Sequence, residues 1–98
     1  MDKQEILAKI EILKQAAEGM DEPDKTFKLD DVSSLKIHLE GMAIEDIAAK
    51  MSEISLPNID SMNESLQKAV DATKGHGQRV DAFNIAFNFI KGAIGFVL

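Results

Sequence analysis

The sequence predicts an all-α fold, a small helical bundle of three to four helices with a long C-terminal helix hinged at Gly75, His76 and Gly77. Three observations carry this expectation. Ile6, Ile10, Leu13, Ala17 and Met20 recur at 4, 3, 4, 3 spacing, which keeps them on one helical face. One heptad register runs from Ile59 to the end, with Ile59, Met62, Leu66, Ala69, Thr73, His76, Val80, Phe83, Phe87, Ile90, Ile94 and Val97 at its a and d positions; all but Thr73 and His76 are apolar. Between these segments lie residues 43–54, where Ile44, Ile47, Ala48, Met51 and Ile54 again keep helical spacing.

The first helix is expected over residues 3–19. Leu7 widens its apolar face, Glu5 and Lys9 form a favourable i,i+4 pair, and Gly19 with Asp21-Glu22-Pro23-Asp24 ends it in a polar turn.

Residues 26–41 admit two readings. As a helix, Asp30 or Asp31 caps it, and Val32, Leu35, Leu39 and Met42 keep helical spacing. As a hairpin, Leu35, Ile37 and Leu39 alternate with Lys36, His38 and Glu40, and pair with Phe27 and Leu29. Helix is favoured because the neighbouring segments are helical. One or two middle helices are thus expected over 31–54.

Ser55-Leu56-Pro57-Asn58 marks a boundary, because proline disfavours helical geometry at the residue before it and Ser55 or Asn58 can cap the next helix. A long element over 58–97 is expected beyond it. Two glycines inside a helix cost about 1 kcal/mol each, so Gly75-His76-Gly77 admits two readings, a hinge or break there or one continuous helix through it. His76 is then a polar residue in an apolar seam.

The chain has 98 residues, enough for a single helical domain over 1–98. Its net charge of −6 disfavours nucleic acid and anionic lipid headgroups as partners. It contains no cysteine, which excludes disulfides and thiolate chemistry. The N-terminus lacks the pattern of a signal peptide, and the expected location is cytoplasmic.

No chemical motif stands out. Two histidines without cysteines, and carboxylates lacking the spacing of a calcium loop, predict no metal site. There is no nucleophile motif and no phosphate loop, so neither catalytic residues, a cofactor nor a small-molecule substrate is expected. Residues 41–70 resemble the bacterial helix-turn-helix pattern at Gly41, Ile47, Ala48, Met51, Ile54, Ser55 and Ile59. The turn departs from that pattern by at least one extra residue. The helix corresponding to the recognition helix carries Asp60 and Glu64 against Lys68, where a groove reader presents basic or amide side chains.

The C-terminal segment directs the functional expectation. All seventeen acidic residues lie at or before Asp81, and Lys91 is the one charge after it. Residues 82–98 would span roughly 25 Å as a helix, short of a hydrocarbon core of about 30 Å, so membrane association is a secondary reading. The primary reading is a non-enzymatic interaction or assembly protein. It would bury Phe83, Phe87, Ile90, Ile94 and Val97 against a second copy, as a homo-oligomer, or against a protein partner.

Overall fold

A computed structural model describes residues 2–95 of the chain. Five helices succeed one another among the described residues: α1 (Lys3–Glu18), α2 (Asp24–Glu40), α3 (Ile44–Met51), α4 (Leu56–Val70) and α5 (His76–Ala93). The fold is all-α as expected, with more helices than the three to four anticipated.

α1 starts where Asp2 accepts a hydrogen bond from the Glu5 backbone N–H at 2.8 Å. That contact satisfies one of the donors that open every helix. Its predicted apolar face is buried at every position, from Ile6 through Ile10, Leu13 and Ala17 to Met20 beyond the helix end. α1 packs against each of the other four helices and so forms the axis of the bundle.

Residues 26–40 are helical, Gly41 ends the helix, and α2 begins earlier than its expected caps. Asp30 and Asp31 lie in the second turn, and the Glu22 carboxylate accepts from the Thr26 N–H at 2.8 Å and from the Thr26 hydroxyl. A carboxylate placed before Pro23 therefore starts the helix. Val32, Leu35 and Leu39 are buried as their spacing implied. At the other end, the Lys3 ammonium donates to the carbonyl oxygens of Glu40 and Met42, each at 3.1 Å. The start of α1 is thus tied to the end of α2, and the two run antiparallel.

α3 buries Ile47 and Met51, while Ile44 and Ala48 face solvent. α4 opens with Ser55 as its N-cap and Pro57 in the first turn, where a missing N–H removes no helical bond.

The single long element over 58–97 is not formed. α4 stops at Val70, and residues 71–75 connect it to α5. Asp71 stops the helix by accepting from the Thr73 N–H at 2.9 Å and the Thr73 hydroxyl at 2.6 Å. Such a local turn competes directly with helix continuation. The break therefore precedes the glycines: Gly75 is the N-cap of α5, and His76 and Gly77 are its first two residues. α4 and α5 fold back on each other as the most extensive helix pair in the molecule. Met62, Leu66 and Ala69 on α4 and Phe83, Phe87 and Ile90 on α5 all join one core. The heptad pattern is real, but it is two stripes meeting across a hairpin; of its two polar exceptions, Thr73 lies in the turn and His76 opens α5.

Arg79 locks this hairpin. Its Nε donates to the Ala69 carbonyl oxygen at 3.3 Å, near the end of α4, and its guanidinium lies against Gly19 at the end of α1. At the opposite end, Ile6 of α1, Met51 of α3 and Phe89, Ile90, Ala93 and Ile94 close the core together.

Candidate interaction surfaces

Four of the five residues expected at an interface are core in the single chain. Phe83 and Ile94 are 1% exposed, Ile90 2% and Phe87 5%. Val97 lies outside the described residues. The Phe83 and Phe87 rings stack with centroids 5.8 Å apart. Lys28 from α2 places its ammonium 5.7 Å from the Phe83 centroid, and Lys91 sits 5.9 Å from that of Phe87. The sequence required these side chains to be covered, and the chain's own helices cover them. No second copy could reach them without opening the bundle.

The hinge candidates occupy the start of α5. Gly75 and Gly77 face open space, so packing does not demand glycine at either. The His76 Nε2 is buried and stands 3.6 Å from the Asp24 carboxylate of α2, beyond hydrogen-bond distance.

The apolar side chains left outside the core are informative. Phe27, Ile37, Ile44, Leu56 and Ile85 are all more than half exposed. Isolated exposed apolar residues are normal on proteins, so their arrangement matters more than their number. Phe27 and Ile37 share the outer side of α2, opposite Val32, Leu35 and Leu39, which pack inward. Between them lie exposed Asp30 and Ser34, completing a stripe at 3, 4, 3 spacing.

Ile85 lies elsewhere, in a groove of about 340 Å³ between α4 and α5. Ser65 and Ala82 make its floor, both buried. Lys68, Lys74, Gln78 and Asp81 stand around it. Sequence reasoning missed this groove because Ser65 and Ala82 face each other only once the chain turns at residues 71–75. The small size of both residues was the available signal.

Two carboxylates are perturbed, both at helix ends. The Thr73 hydroxyl, and after it the Thr73 N–H, holds the Asp71 carboxyl below the usual range, with Lys74 and Arg79 adding to the effect. The Thr26 hydroxyl and N–H, with Lys25, do the same for Glu22. Both are cap or turn contacts, and neither belongs to a cluster. No group of three or more metal-ligating side chains occurs among the described residues, and no described helix is long and apolar enough to cross a membrane.

The segment resembling a helix-turn-helix forms α3, a connection over 52–55, and α4. α3 packs on α1, and α4 exposes Asp60 and Glu64 alongside Lys68. Comparison with protein-family models, curated proteins and solved structures finds no match to this chain.

Proposed function

We propose that this protein is a non-enzymatic helical interaction protein, which assembles with a second copy or with a protein partner. The supporting observation is the set of large apolar side chains left outside a core that is otherwise closed, above all Phe27 and Ile37 on one side of α2. Covering these partly exposed side chains gains the still-exposed share of the about 1.5–3 kcal/mol that full burial of such a side chain contributes. The surface differs from the one expected from the sequence, since the C-terminal stripe is committed to the core. The acidic character of the chain, −6 overall, disfavours nucleic acid as the partner.

The test is the absolute mass in detergent-free buffer, by size-exclusion chromatography with light scattering. Refractive-index detection is required because the chain has neither Trp nor Tyr. A discrete multiple of 10.7 kDa supports assembly. A monomer that sediments with liposomes would sink this reading in favour of membrane association.

A further inference from the structure

Ser65, on the floor of the groove between α4 and α5, is the one buried polar side chain among the described residues, with 8% of its surface exposed. A helical serine commonly turns its hydroxyl back to a backbone carbonyl, and buried polar groups are normally hydrogen-bonded. The Ser65 hydroxyl makes no hydrogen bond within the described chain. The charged groups around it are also uncommitted. Lys68, Lys74 and Asp81 form no ion pair with any described side chain, although Lys74 stands close enough to Asp71 to favour its carboxylate. The groove is graded along its length. α4 and α5 run antiparallel from the turn at 71–75, so place along the groove follows distance from that turn. Lys68, Lys74 and Gln78 stand at the turn end, Ser65, Asp81 and Ala82 about one helical turn further on, and Ile85 beyond them. Gln78 and Ile85 are roughly 10 Å apart along α5.

We infer that this groove binds a free α-amino acid with an apolar side chain. The carboxylate lies at the turn end, where Lys68 and Lys74 supply positive charge and the Ser65 hydroxyl and Gln78 amide donate hydrogen bonds. The ammonium meets Asp81, and the side chain runs over Ala82 to Ile85. Other small ions match only part of the groove. A simple carboxylate has Asp81 beside it as a like charge. A simple amine faces two lysines. Inorganic phosphate leaves Ala82 and Ile85 uncovered. A carboxylate and an ammonium on one carbon, followed by an apolar tail, meet all three regions. The volume of about 340 Å³ lies at the small end of the roughly 300–1,000 Å³ of ligand sites, which suits a molecule of this size. The rim charges are open to solvent and screened by it, so binding is weak, with a Kd on the order of 1 mM. Such a site goes beyond the assembly reading and does not depend on it.

The experiment is an amide NMR titration of the full chain with L-leucine, to well above that Kd. Two truncated probes are titrated beside it: isocaproate, which is leucine without its ammonium, and isoamylamine, which is leucine without its carboxylate. The expected result is saturable shifts centred on residues 65–68 and 78–85, with leucine bound about tenfold more tightly than either probe. Asp81→Asn should weaken leucine about tenfold and leave isocaproate no weaker. Lys68→Gln should weaken leucine and isocaproate and spare isoamylamine. Leucine that produces no saturable shifts overturns the site. Isocaproate bound as tightly as leucine, with Asp81→Asn without effect on either, overturns the zwitterion. Shifts scattered over all five helices mark non-specific association and overturn it equally. If Asp81→Asn fails to fold, the three probes on the wild type decide alone. Light scattering of the same samples reads assembly separately, so failure of one reading leaves the other intact.

Discussion

The guanidinium of Arg79 occupies the space beside Gly19 that a side chain there would need. Gly19 has ordinary right-handed backbone angles, so glycine is not required for conformation. Alanine at a compatible site normally stabilises by about 0.4–1 kcal/mol through the unfolded chain. Here its Cβ meets Nη2, the far end of the flexible Arg79 side chain, which can shift while Nε keeps its bond to Ala69. Gly19→Ala is therefore expected to gain less than that in the wild type and the full amount in an Arg79→Ala background. A double-mutant cycle by urea denaturation measures the difference.

Phe87→Asp separates core from interface. Phe87 is 5% exposed within the single chain, so the substitution buries an unpaired charge in place of a stacked ring. The expected loss is at least the 3–5 kcal/mol typical of Phe→Ala in a core, a large share of a small domain's 5–15 kcal/mol. Circular dichroism should show global unfolding. A folded Phe87→Asp chain with altered mass would return this face to the surface.

The turn between α4 and α5 has a defined acid dependence. The folded Asp71 carboxyl titrates below its unfolded value because of Thr73. The unfolded state therefore takes up the proton first as pH falls. The stabilisation is fully present above the ordinary carboxylate pKa of about 3.9 and is lost as pH falls through the depressed folded value. Thr73→Val should lower the melting temperature at pH 7. The gap to wild type should close under acid conditions, measured by thermal melts from pH 7 to pH 2.

Lys3 ties the start of α1 to the end of α2 through the Glu40 and Met42 carbonyls. Lys3→Met keeps the apolar stem and removes both bonds. The expected cost is about 0.5–1.5 kcal/mol. Amide exchange should report it as faster opening around residues 39–42, with little change in α4 or α5.

Much of the fold is legible in the sequence because periodicity reports burial. Ile6, Ile10, Leu13 and Ala17 on α1, and Val32, Leu35 and Leu39 on α2, all lie on the core face that their spacing marks. Boundaries are harder to read. The start of α2 depends on a carboxylate two residues ahead of the helix, Glu22, where Asp30 and Asp31 offer more conventional caps. The hairpin between α4 and α5 is hidden because the heptad register passes through residues 71–75 unshifted, so spacing alone cannot separate one helix from two. The destination of Phe83, Phe87, Ile90 and Ile94 is equally hidden. A core and an interface bury the same atoms, and only the packing of α1 and α4 against α5 distinguishes them. The α2 stripe escapes a search for apolar periodicity because its middle positions, Asp30 and Ser34, are polar.

The closure of the core by Ile6 and Ile94 has a consequence for how the protein is made. The ribosome releases α1 first, yet the residues that cover its opening turn are among the last described in the chain. Contacts so distant in sequence form only after a large loop closes. Before α5 emerges, α1 can already pack on α2 and α4, but its opening turn at Ile6 stays without the cover of Ile90 and Ile94. That end of the core is therefore sealed last.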